Sequence, residues 1–202
     1  EICQRLVGSE MCIRDSFRDQ RSLKVVIVSH CILNQNSRIA TCAMSGNTMP
    51  GVVEKLILAG YGLIQGPCPE TELFGLQRTG MDIDDLKDPK PASDGEIYDR
   101  LNADENIDAL NAMAFQLATT AKEYVDNGVE VGGILGVAGS PSCGVKVTYR
   151  FGLQEGQGAF IEALGRALRS LDLDIPIIEM NDARPDKNLQ VLDAIQVRDM
   201  TD

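Results

Sequence analysis

Residues 24–31 read Lys-Val-Val-Ile-Val-Ser-His-Cys. The run Lys24–Ser29 is apolar and β-branched, which predicts a short buried strand, and a cysteine follows it. The arrangement returns twice. Tyr61–Gly66 (YGLIQG) reads as a second strand and leads into Pro67-Cys68-Pro69-Glu70. Val131–Val137 (VGGILGV) reads as a third and leads into Gly139-Ser140-Pro141-Ser142-Cys143-Gly144. Asp174–Met180 (DIPIIEM) predicts a fourth strand. Between the strands lie helical patterns. Pro50–Ala59 has helical apolar spacing and stops at Gly60. Ile107–Asn127 sets Leu110, Met113, Leu117, Ala121 and Tyr124 along a long helix that ends at Asn127-Gly128. Ala159–Leu171 predicts another helix, and Leu189–Ile195 a short last one. Strands alternating with helices predict an α/β fold: a single-domain, three-layer sandwich around a mainly parallel, Rossmann-like sheet. No internal repeat or long linker divides residues 23–202.

Residues 1–22 show little periodicity and are expected to form an unstructured or artefactual tail. Gly8–Ser16 (GSEMCIRDS) resembles translated sequencing-adapter sequence, which places the expected start of the authentic domain near Leu23. Cys3 and Cys12 then read as tail thiols. No apolar stretch follows a basic start, so no signal peptide is expected, and the expected location is cytoplasmic.

The 202 residues carry 19 Lys and Arg against 30 Asp and Glu, a net charge of −11. Phosphate backbones and anionic lipid surfaces select basic patches, so neither nucleic acid nor a membrane surface is an expected partner. No apolar run approaches the roughly 20 residues of a membrane-spanning helix. Much of the negative charge sits in Asp82–Asp108, which holds ten acidic and three basic residues. Met81–Asn106 therefore reads as a solvated excursion with short helical pieces.

Six cysteines and one histidine, His30, are too few for a disulfide scaffold or a multi-histidine metal site. Position is more informative than number. In a parallel sheet, the C-terminal ends of the strands share one edge, and ligands bind outside it. Cys31, Cys68 and Cys143 should therefore converge, although 37 and 75 residues separate them. Thiolates are soft ligands that select zinc, copper(I) or an iron–sulfur cluster. Zinc would recruit a fourth ligand, for which His30 is the neighbouring candidate. Three thiolates on a cluster would leave one iron open to substrate. Buried thiols that pack as small hydrophobes are the plain alternative. Gly and Pro on both sides of Cys68 and Cys143 mark tight loops instead of core packing.

Other strand-end residues suit a site. Glu70 is a candidate acid or base, since burial beside a dry cluster favours the protonated form of a carboxyl; a residue favoured at a helix N-terminus is the plain reading. Ser140 and Ser142 are candidate donors to substrate, or turn residues. Asn34, Gln35 and Asn36 offer amides for the edge of a heterocycle, or a polar loop. Arg38 and Arg78 are candidate anion holders, or solvent-facing arginines. The glycine-rich GVAGSPSCG matches neither a P-loop nor a dinucleotide fingerprint.

His30-Cys31-Ile32-Leu33-Asn34, Pro67-Cys68-Pro69-Glu70 with Gly75-Leu76 and Arg78, and Ser140-Pro141-Ser142-Cys143-Gly144 together resemble the signatures of the thiouracil desulfidase (TudS-like) family, in a TudS-related branch. The resemblance runs from about Lys24 to Tyr149. It implies an iron–sulfur desulfidase-like domain over residues 23–202, with a [4Fe–4S] cluster on Cys31, Cys68 and Cys143. It also implies hydrolytic, non-redox removal of sulfur from a thiolated pyrimidine of the thiouracil or thiouridine type. Glu70 with Ser140 or Ser142 would be catalytic, and Asn34, Asn36 and Arg38 would bind substrate. Better-known members often carry a second cysteine six residues after the first; here that position is Ser37, followed by Arg38. Cys42 falls outside the pattern and reads as a structural thiol. Two competing functions are a non-catalytic carrier of a cluster or persulfide and a zinc–thiolate site.

Overall fold

A computed structural model describes residues 19–78 and 95–198. The suggested tail thiols Cys3 and Cys12 lie outside the described residues, as does most of the acidic excursion. The first strand, β1 (Lys24–Val28), leads into a single helical turn, α1 (His30–Leu33), and a 3-10 turn over Gln35–Ser37. Next come α2 (Pro50–Leu58), β2 (Gly62–Gln65), α3 (Pro69–Phe74), α4 (Gly95–Leu101) and α5 (Asp104–Asp126). Strand β3 (Glu130–Val137) precedes a hairpin of β4 (Val147–Tyr149) and β5 (Leu153–Glu155). The chain continues through α6 (Ala159–Ser170), β6 (Ile177–Met180) and α7 (Pro185–Arg198).

The sheet has the order β2-β1-β3-β6 with every pairing parallel, so the predicted α/β sandwich is the observed one. Strands β1 and β3 are central, and their apolar runs are buried on both faces, as a parallel sheet covered by helices requires. Alternation along β1 divides the core. Val25 and Ile27 pack with Leu110, Leu117 and Ala121 of α5 and with Leu164 and Leu168 of α6. Val26 and Val28 face the other layer, with Val52 and Leu56 of α2 and Leu192 of α7. Burial of a side chain of this size stabilises by about 1.5–3 kcal/mol.

Several boundaries moved for identifiable reasons. The fourth strand starts at Ile177, later than Asp174, because Pro176 has no amide hydrogen for the ladder; its carbonyl instead accepts from Ile134 N at 2.9 Å. The long helix starts at Asp104, earlier than Ile107, with Asp104 and Glu105 in the first turn, where the helix dipole favours acids. The last helix starts at Pro185, a residue suited to a first helical position. The expected solvated excursion needs correction at its described end. Helix α4 carries Ile97, Tyr98 and Leu101 into the core at 4% exposure or less. Its net charge hid a buried apolar face. Among the described residues, no helix is long and apolar enough to cross a membrane.

Candidate functional site

The site lies at the C-terminal ends of β1, β2 and β3. Cys31 is the second residue of α1, Cys68 caps the N-terminus of α3, and Cys143 lies in the loop after β3. That loop is rigidly seated. Val137 N donates to Cys143 O at 2.8 Å, and Phe160 N, at the start of α6, donates to Ser142 O at 3.1 Å. Two glycines permit this close approach. A Cβ at Gly136 would stand 2.5 Å from Cys143 O, and one at Gly158 would stand 2.5 Å from Ser142 O.

All three cysteines line one cavity of about 110 Å³, together with Arg38, Cys42, Glu70, Arg78, Ser140 and Ser142. The expected convergence of the strand-end thiols is therefore present, and all three are free. Burial pushes the Cys31 thiol up to about 11, against the opposing pull of the Arg38 guanidinium. Burial, with Cys31 adding to it, pushes Cys143 up to about 12. Cys68 is also raised, by burial and then by the Glu70 carboxylate. Buried, mutually repelling thiols favour the neutral form until a cation shares the site. Thr71, which the sequence reading passed over, donates its hydroxyl to Cys68 Sγ at 3.1 Å.

Glu70 is 5% exposed and uses both carboxylate oxygens. Oε1 accepts from Ser142 Oγ at 2.6 Å, and Oε2 accepts from Arg78 Nε at 2.9 Å. The expected burial of Glu70 is present, and the structure adds two partners that the sequence did not name for it, Ser142 and Arg78. Arg78 is itself buried, and its Nη2 donates to Ser37 O at 2.8 Å. The plain reading of a solvent-facing arginine does not hold. The two serines separate in role. Ser142 faces Glu70, whereas Ser140 Oγ accepts from Cys143 N at 2.9 Å and Ser142 N at 3.3 Å, holding the loop.

Arg38 lines the cavity, with Nη2 3.6 Å from Cys31 Sγ and in an ion pair with Asp182. Its Nη1 donates to Cys42 O at 3.1 Å. Asp182 was missed by sequence reasoning, although the signal was present: it follows β6, as the cysteines follow the other strands. Both suggested anion holders, Arg38 and Arg78, are already paired with carboxylates.

The amide run is turned away from the cavity wall. Asn34 Oδ1 accepts from Asn36 N at 3.1 Å and from Asn36 Nδ2 at 3.2 Å, and neither residue lines the cavity. Gln35 is buried, donating to Cys31 O at 2.7 Å and accepting from Met44 N at 3.1 Å, so it braces the backbone of the first cysteine. Cys42, read from the sequence as structural, also lines the cavity.

The three thiols on the wall are soft donors, of the kind that suits an iron–sulfur cluster or a thiophilic metal ion. Among the described residues, no three His, Cys, Asp or Glu side chains are grouped so as to hold one metal ion.

No family model matches the chain. A stretch of 57 residues is 44% identical to the uncharacterized protein MJ0003 of Methanocaldococcus jannaschii. The match covers 28% of this chain and 36% of that protein, so the chain spans about a third of the length of the curated relative it matches. No solved structure matches the chain.

Proposed function

We propose that Cys31, Cys68 and Cys143 hold a [4Fe–4S] cluster, and that the protein hydrolyses the carbon–sulfur bond of a thiolated pyrimidine to release sulfide. The observation that carries the proposal is the placement of three strand-end thiols and the Arg78–Glu70–Ser142 chain on one cavity. When bound, a cluster on three thiolates supplies an iron with no protein ligand, a soft Lewis acid for a thiocarbonyl sulfur.

The chain's own residues supply the proton chemistry. Glu70 accepts the Ser142 hydroxyl proton in a 2.6 Å hydrogen bond, while Arg78 fixes the opposite carboxylate oxygen. That is the arrangement of a hydroxyl, a base and an orienting group. Ser142 passes the proton of an attacking water to Glu70, and the water oxygen forms the new bond to the ring carbon. Glu70 returns that proton to the sulfur, the carbon–sulfur bond breaks with its electron pair on sulfur, which leaves as hydrosulfide, and the new hydroxyl gives up its proton to become the carbonyl. The net change is C=S plus water to C=O plus hydrogen sulfide, without oxidation or reduction. Arg38 lines the same cavity and contacts substrate. Ser140 keeps the loop in place. The partner is a small molecule, and a reducing compartment such as the cytoplasm suits an iron open to solvent.

The test is anaerobic incubation of the cluster-reconstituted chain with 2-thiouracil, with sulfide and uracil both quantified. Equimolar sulfide and uracil support the reading. A bound cluster with neither product would leave the non-catalytic carrier.

A further inference from the structure

Each of the three cavity sulfurs has a polar donor near it, and the three donors are unequal. Arg38 Nη2 lies 3.6 Å from Cys31 Sγ and is also paired with Asp182. Ser142 Oγ lies 3.5 Å from Cys143 Sγ, but a hydroxyl has one hydrogen to donate. The 2.6 Å bond to Glu70 Oε1 takes it. Thr71 Oγ1 lies 3.1 Å from Cys68 Sγ and donates to that sulfur. The local fold fixes this pair. Cys68 caps α3, and Thr71 stands three residues on, in the first turn. The same sulfur also feels a negative neighbour, since the Glu70 carboxylate, two residues on, repels charge there. A donor to an ionised acceptor makes a stronger hydrogen bond than one between neutral groups. Hydrogen bonds to the sulfurs are among the features that set the potential of an iron–sulfur cluster.

We infer that Thr71 is a positioning residue for the cluster: its hydroxyl disperses charge on the Cys68 sulfur, against the Glu70 carboxylate, and so raises the reduction potential of the site. Reduction adds negative charge, and a donor at sulfur favours the state that carries more of it. Thr71 acts through Cys68. The inference deepens the proposed reading and rests on it in taking Cys68 as a cluster ligand.

The experiment is an anaerobic redox titration of the reconstituted full chain, followed by the paramagnetic resonance of the reduced cluster. The proteins are the wild type, Thr71→Val and Thr71→Ser. Thr71→Val keeps the branched shape and removes the hydroxyl, whereas Thr71→Ser keeps the hydroxyl and removes the methyl. Thr71→Val is expected to lower the equilibrium constant for one-electron reduction about tenfold, a fall of about 59 mV in the midpoint. Thr71→Ser should restore the wild-type midpoint, which a role in packing alone would not produce. A Thr71→Val midpoint equal to that of the wild type overturns the inference, as does a Thr71→Ser midpoint that falls as far as that of Thr71→Val. Should Thr71→Val hold no cluster, Thr71→Ala is compared with Thr71→Ser: a lower midpoint in Thr71→Ala supports the inference, and equal midpoints overturn it. Iron content and sulfide release from 2-thiouracil are scored on the same samples. Iron-free wild type overturns both this inference and the cluster. A midpoint that shifts as expected, without sulfide release, removes the desulfidase reading and leaves this inference standing. Sulfide release with an unmoved midpoint does the reverse.

Discussion

Ser142 Oγ lies 2.6 Å from Glu70 Oε1, joining the loop after β3 to the helix after β2. The two residues are 72 positions apart in the chain. Their contact joins two separate motifs into one hydrogen-bonded unit beside the cysteines.

Glu70→Gln keeps the shape of the side chain and removes the base. It should retain the visible colour of the bound cluster while sulfide release falls roughly 10²–10⁴-fold, the usual contribution of a general acid or base. Steady-state sulfide assays and the visible spectrum, recorded on one sample, check both halves. Undiminished turnover would remove Glu70 from the chemistry.

Ser142→Ala and Ser140→Ala should separate activity from stability. Ser142→Ala takes the hydroxyl from Glu70 and is expected to lower turnover most. Ser140→Ala leaves Cys143 N and Ser142 N without their side-chain acceptor. It should cost about 1–3 kcal/mol of stability, since each of the two lost hydrogen bonds is worth about 0.5–1.5 kcal/mol net, with a smaller loss of turnover. Urea unfolding and sulfide release distinguish them, and identical profiles would reject the division of roles.

Arg78→Met leaves Glu70 buried without its cation. The paired side chains are 3% and 6% exposed. Removing one partner of a buried pair typically costs about 3–5 kcal/mol, so a large fall in the urea midpoint is expected. Removing both partners together, as in Arg78→Met with Glu70→Gln, should recover part of that loss. A midpoint unchanged by Arg78→Met would mean that the pair contributes little.

The raised thiols give a pH prediction for the cluster-free chain. Burial lifts the Cys31 thiol from an ordinary 9.0 to about 11, so the folded state holds that proton when the unfolded chain has lost it. This contribution to stability is complete below about pH 9 and is lost as pH rises through about 11. Unfolding midpoints measured from pH 8 to 11 should fall more steeply in the wild type than in Cys31→Ala. Parallel curves would show that Cys31 does not titrate with folding.

Much of this architecture was legible because it repeats one local rule. Apolar, β-branched runs announced the strands, and a cysteine after each of three strands announced the shared edge. Asp182 obeyed the same rule after the fourth strand, but an aspartate in a polar turn carries no distinctive local chemistry. The pairing of Arg78 with Glu70 was hidden for a different reason: burial of an arginine depends on what packs over it. Here Arg78 N-H groups reach Glu70 and Ser37 O, while Arg100 Nη1 donates to Arg78 O at 2.8 Å. Asn34 and Asn36 pair with each other off the cavity wall, since amides satisfy one another as readily as they bind a heterocycle. Helix α4 was obscured by acidic neighbours, which describe its outer face and not the face that Ile97 and Leu101 bury.

The most direct test of the central claim is the iron and acid-labile sulfide content of the full chain, purified anaerobically and reconstituted, beside single alanine variants of Cys31, Cys42, Cys68 and Cys143. The account predicts about four irons per chain, as for a cubane cluster, retained in Cys42→Ala and lost or degraded in each of the other three. Iron-free wild type after reconstitution, or a cluster lost in Cys42→Ala and kept in any of the other three, would contradict it.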